Sequence, residues 1–126
     1  VAGVLDGTID IITSDHQPID IEGKKLEFDL ANYGSIGLES AFGALNSVLP
    51  LEKVIEKLTA GIQVFDMEPT SINIGQKANL TLFNPNIHWT FSENAILSKS
   101  KNAAFLGHPL KGKAYGIYNR NQLVIS

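Results

Sequence analysis

The chain contains no cysteine, which excludes disulfides and thiolate metal sites. It has no apolar run approaching the roughly 18 residues that a membrane span needs, so no membrane is expected as a partner. It has no surplus of positive charge: ten Lys and Arg against thirteen Asp and Glu give a formal net charge of −3, with the signs interspersed. Without a basic stripe, nucleic acid is not an expected partner either. Internal repeats and low-complexity tracts are also missing. The opening VAGVLDG, Val1 to Gly7, has neither a cationic region nor a cleavage-site pattern, and so does not read as a signal peptide. It reads as the last turn of a helix stopped by Asp6-Gly7. The expectation is therefore a segment of a longer, cytoplasmic protein.

What remains is ordinary globular composition, 44% hydrophobic and 18% charged, in 126 residues, which predicts one domain or less. Thr8 to Ser14 (TIDIITS) is rich in β-branched residues, and its isoleucines do not alternate strictly; this predicts a strand buried on both faces of a parallel sheet. Pro18 disfavours helix immediately after it, and Gln17 to Gly37 reads as a long polar loop with Gly23, Gly34 and Gly37. From Leu38 the period becomes helical. Leu38, Ala41, Phe42 and Leu45 mark one face, and Leu51, Val54, Ile55 and Leu58 mark another after Pro50, with a short helical piece at Ile62 to Asp66. Beyond Gly75 the character is β. The expected strands are Ala78 to Phe83, His88 to Phe91 after a turn at Asn84-Pro85-Asn86, and a hairpin of Gly112 to Tyr118 with Leu123 to Ser126 about Asn119 to Asn121. The order of strand, long loop, helices and small sheet suits the last β/α unit of a barrel followed by a second small unit.

Reactive groups of barrel enzymes lie at the C-terminal ends of strands, which is where Asp15 and His16 fall. A carboxylate there either ligates a metal or takes a proton from an activated water; the alternative is a turn-forming Asp before Pro18. His88 and His108 lack any metal-ligand spacing and read as surface or packing residues. Gly34 and Gly37 either let backbone approach a ligand or simply bend the loop before the helix. The SKSKN run, Ser98 to Asn102, is either an anion contact or a solvated loop, and Trp89 and Phe91 read as core.

Several collinear stretches carry a resemblance to the C-terminal segment of dihydroorotases, in the amidohydrolase superfamily. DGTIDIITSDHQP resembles that family's strand-eight signature, Asp-Gly-x-Ile-Asp leading to Ser-Asp-His-Ala-Pro-His. FDLANYGSIGLESA resembles its glycine loop and following helix, and KANLTLFNPNIHWTF with LSKSKNAAFLGHPLKGKAYGIYNRNQLV resembles its final strands. The resemblance implies an α/β fold: the C-terminal part of a (β/α)8 metal-dependent hydrolase barrel in residues 1–75, plus part of a small composite β-sandwich in residues 76–126. It implies zinc as cofactor and interconversion of carbamoyl aspartate and dihydroorotate in pyrimidine biosynthesis. Asp15 is the implied metal ligand and proton shuttle, and His16, Asn32, Tyr33 and Gly34 are the implied substrate contacts. The implied partners are the small-molecule substrate, the remainder of the barrel, a second copy in a homodimer, and aspartate carbamoyltransferase.

Two departures stand out. The family's second histidine, which contacts the substrate carboxylate, is Ile19 here, and the loop proline is Asn32. Losing a hydrogen bond to a charged group costs on the order of 1.5–3 kcal/mol. This keeps open a second class of function, a non-catalytic homologue serving as structural partner of aspartate carbamoyltransferase. A hydantoinase or allantoinase is a third reading. One acid and one histidine do not make a tight zinc site, so the 126-residue chain alone is expected to hold no metal tightly and to be inactive.

Overall fold

The computed structural model describes residues 1–68 and 71–126. The chain opens with a one-turn helix α1 (Ala2–Leu5), which ends at Asp6 before Gly7 in the left-handed conformation, φ 86°. Thr8 to Ser14 is extended but joins no ladder. Ile9 donates to the Gly3 carbonyl and Ile12 to that of Lys57. The strand expected here is therefore not formed. A parallel strand needs neighbours on its flanks, and the described residues offer only a single parallel bridge between His16 and Ser35. Ile9 is also exposed rather than buried on both faces. The following loop contains a short helix α2 (Ile21–Lys24), where a wholly irregular segment was expected. Asp20 caps it by accepting from the Gly23 N–H at 2.9 Å, once the chain is past Pro18.

Helix α3 (Leu38–Asn46) forms as the period predicts, but its most buried residues are Ser40, Gly43 and Asn46. Leu38, placed on the apolar face from sequence, is largely exposed. The reason is close packing on a strand. A Cβ on Gly43 would lie 3.0 Å from the Gly112 carbonyl oxygen and 3.1 Å from Leu110 Cβ, so only a small side chain fits at that contact. Asn46 then donates to the carbonyls of Pro85 and Lys111 at 2.9 and 3.0 Å, and the Ser47 hydroxyl accepts from the Lys111 N–H. Helix α4 (Leu51–Thr59) buries Val54 completely, and a single turn α5 (Gly61–Val64) follows.

The sheet is an antiparallel meander of β1 (Asn79–Thr90), β2 (Pro109–Asn119) and β3 (Gln122–Ile125). Where two strands and a turn were expected, β1 is one strand with an irregularity between Asn84 and His88. Pro85 sits in that irregular stretch, where its missing N–H costs no ladder bond, and its carbonyl receives Asn46. The expected hairpin is present. Its two loop residues, Arg120 and Asn121, both have positive φ, 51° and 62°, as a type I′ turn requires. Two apolar clusters hold these elements. One joins Ile36, Phe91, Ile96 and Leu110; the other joins Val4, Leu49 and Val54 with the half-buried Ile12, Phe42, Leu45 and Leu58.

Candidate functional site

Asp15 is exposed and its φ is 42°, in the left-handed region that asparagine and aspartate tolerate better than other side-chain-bearing residues. One carboxylate oxygen, Oδ1, accepts from Gln17 Nε2 at 2.8 Å. Among the described residues Oδ2 has no hydrogen-bond partner.

His16 turns the other way and is largely buried. Its Nδ1 accepts from two backbone N–H groups, Gly37 and Leu38, each at 3.2 Å. These belong to the N-terminal end of α3, whose first donors have no partner within the helix. A nitrogen that accepts two N–H donors carries no proton, so the ring proton is on Nε2, which faces Ser98 Oγ at 3.3 Å. The Ser98 hydroxyl in turn donates to Glu39 Oε1, and the Ser98 N–H reaches the same oxygen at 2.9 Å. Glu39 Oε2 is buried without a hydrogen-bond partner among the described residues. Burial pushes the Glu39 carboxyl up, but the Ser98 hydroxyl and N–H, a main-chain N–H and the nearby His16 outweigh it. The group is held below the ordinary glutamate value.

The glycine loop lies alongside this stretch. Gln17 N–H donates to the Ser35 carbonyl at 3.0 Å, and the His16–Ser35 bridge continues the pairing. Asn32 is tied through its main chain, donating to Gly23 and accepting from Lys24 Nζ, while Tyr33 is almost fully exposed. Gly34 has φ 123°, and a Cβ there would fall 2.8 Å from Gln17 Cβ and 3.1 Å from Ile19 Cγ1. At Gly37 a Cβ would fall 2.5 Å from the Ser14 carbonyl oxygen. Both glycines are thus required by chain-on-chain approach. Ile19 packs against Gly23 and Gly34.

Within the SKSKN run Lys99, Lys101 and Asn102 are exposed, as in a solvated loop, yet the run is also tied to the rest of the chain. Ser100 Oγ donates to the Ile19 carbonyl at 2.6 Å and Asn102 Nδ2 to that of Gly34 at 2.9 Å. The Asn102 carbonyl accepts from the Ile36 N–H. Ser98, Ser100 and Asn102 thus all reach residues between 16 and 39. Nothing local in the sequence marks Glu39 or Ser98 as site residues; the only cue is the period-two spacing of Ser98, Ser100 and Asn102. A cleft of about 790 Å³ opens between residues 18–24 and 99–102, lined by Ile19, Lys24, Lys99 and Lys101, but Asp15 is not on its wall. His88 pairs with Lys111 within the sheet, and the His108 carbonyl accepts from Phe91, so neither histidine approaches Asp15 through these contacts. Phe91 is fully buried, and Trp89 is half-buried against it edge-on.

Among the described residues no three His, Asp or Glu side chains gather to hold a metal ion. Asp15 offers one carboxylate, and both nitrogens of His16 are already engaged. The residues of this chain therefore do not fit a complete zinc centre, although Asp15 fits as one ligand of one.

No protein-family model matches the chain. A dihydroorotase from Chlorobaculum tepidum is 37% identical over 132 residues, covering 99% of this chain and 30% of its own length. One from Trichlorobacter lovleyi is 36% identical over 119 residues, covering 90% of this chain and 28% of its own. Among solved structures, a D-hydantoinase (dihydropyrimidinase) from Thermus sp. matches with a TM-score of 0.83 at 21% identity, over 98% of this chain and 30% of that one. A dihydropyrimidinase from Brevibacillus agri matches with a TM-score of 0.79 at 22% identity over the same shares. The chain thus spans about 30% of the length of the relatives it matches. Relatedness in sequence is to proteins named dihydroorotase, and likeness to the hydantoinases is one of fold.

Proposed function

We propose that this chain, related to dihydroorotases along nearly its whole length, is one segment of a cyclic amidohydrolase that interconverts carbamoyl aspartate and dihydroorotate. The observation that carries this reading is Asp15: an exposed carboxylate held at positive φ, with one oxygen anchored by Gln17 and the other without a hydrogen-bond partner among the described residues. Positive φ outside glycine concentrates at functional sites, where surrounding structure over-determines it. Zinc, completed by ligands from the rest of the polypeptide, would supply Lewis acidity at the site. The work of this chain is then proton transfer and positioning. Asp15 takes a proton from the attacking water at Oδ2 and returns it to the leaving amide nitrogen. Asn32 to Gly34, fixed alongside by the Gln17–Ser35 bond, border the substrate, with the Tyr33 side chain free to cover it.

A second reading is a non-catalytic homologue that serves as a structural partner of aspartate carbamoyltransferase. Ile19 favours it, because that side chain packs against the loop and offers a substrate carboxylate no hydrogen bond. The test is turnover by the full polypeptide carrying this chain, loaded with zinc, on dihydroorotate and on hydantoin. Preferential hydrolysis of dihydroorotate, abolished by Asp15→Asn, is expected. Hydrolysis of hydantoin alone would move the assignment to the hydantoinases, and no turnover of either would favour the structural partner.

A further inference from the structure

Resting on the reading of Asp15 as the proton carrier, we infer that Ser98 and Glu39 are positioning residues for that carboxylate, acting through His16. The main chain at residues 16 and 17 pairs with Ser35, through the His16–Ser35 bridge and the Gln17 N–H. The ring of His16 adds a second hold. Gly37 and Leu38 N–H groups fix His16 Nδ1, and Ser98 fixes Nε2. Ser98 is itself oriented twice by the same oxygen of Glu39, through its hydroxyl and its N–H.

The ring is therefore gripped from two sides by groups far apart in sequence. Both donors at Nδ1 come from the start of α3, and Glu39 lies on that helix, so the grip ties residues 15 and 16 to one helix. Ser98 closes it from 82 residues downstream of His16. The same downstream segment pins the substrate-side loop, through Ser100 to Ile19 and Asn102 to Gly34. The Ser98–Asn102 segment thus holds both His16, beside the acid, and the substrate-side loop. His16, on this account, contacts no substrate; its two nitrogens are spent on holding the backbone that carries Asp15.

Misplacing a catalytic group by about 1 Å can cost up to about 100-fold in rate. In the zinc-loaded full polypeptide, Ser98→Ala is therefore expected to lower kcat on dihydroorotate about tenfold or more, with KM within about twofold. Ser98→Thr, which keeps the hydroxyl, should restore most of the loss. If Ser98→Ala does not accumulate folded, Glu39→Gln serves, with an expected loss of about threefold in kcat from the weakened acceptor. A second readout needs no turnover: amide hydrogen exchange at Gly37 and Leu38 should quicken about tenfold in Ser98→Ala and remain slow in Ser98→Thr. Unchanged kcat, or equal losses in Ser98→Ala and Ser98→Thr, overturns the inference. Should the unsubstituted protein hydrolyse no cyclic amide, the functional reading fails by itself, and the exchange rates still decide whether Ser98 holds His16 against α3.

Discussion

Glu39 is the residue where environment and chemistry are most closely joined. It lies largely buried behind His16, with Oε1 accepting two hydrogen bonds from Ser98 and Oε2 without a hydrogen-bond partner among the described residues. Because its carboxyl is held below the ordinary value near 4.5, the folded state favours the charged form. The sign follows directly: the stability that this charge contributes is present above the ordinary glutamate value and is lost as pH falls through the lower folded value. Denaturation midpoints of the full polypeptide and of Glu39→Gln, compared between about pH 3 and 7, should differ most at the upper end and converge at the lower. A constant difference across that range would mean that the charge contributes nothing. Neither the depression nor the network was legible from residues 37–40 alone, since GLES reads there as the first turn of a helix. Asp15 was singled out from sequence because an acid closing an apolar run is a local pattern, one that fits a turn-forming Asp as well.

Helix α3 and strand β2 show how a contact between elements overrides a periodic stripe. The period from Leu38 to Leu45 located the helix but not its buried face, because Gly43 and Gly112 meet too closely for larger side chains. Gly43→Ala sets two effects against each other. Helix propensity should gain about 1 kcal/mol. Overpacking against a strand carbonyl and Leu110 Cβ should cost about 1–3 kcal/mol, since neither atom is the free end of a side chain. The expected outcome is net destabilisation of about 1 kcal/mol, measured by chemical denaturation; a stabilised variant would show that the helix can slide. At Pro85 the local turn signal survives as an irregularity within one strand, where Asn84 Oδ1 accepts from the Asn86 N–H and Asn46 from α3 donates to the Pro85 carbonyl.

At the scale of the whole molecule, large apolar side chains lie in the open. Phe28 is 98% exposed and Tyr33 93%, and Ile72, Ile74 and Leu97 are similarly bare. Strands β1 and β3 both present edges in the three-stranded order. Exposed apolar surface and unpaired edges drive association. The 126-residue chain purified by itself should therefore sediment as oligomers and bind an apolar dye, and with zinc added it should hydrolyse no dihydroorotate. A monodisperse, active monomer would sink the proposal that the site is completed by further polypeptide.

The sequence by itself determined what is local or collinear: the helices, whose period needs only a few turns; the hairpin at Arg120-Asn121; and the run of motifs that resembles dihydroorotase. It could not determine the failure of Thr8 to Ser14 to join a ladder, because a strand's partners lie elsewhere and β-branched residues express only a readiness to pair. Nor could it show that Ser98, Glu39 and His16 share one hydrogen-bonded chain. That chain exists because folding brings the Ser98–Asn102 segment alongside the start of α3, and hydrogen bonds form by distance in space rather than by position along the polypeptide.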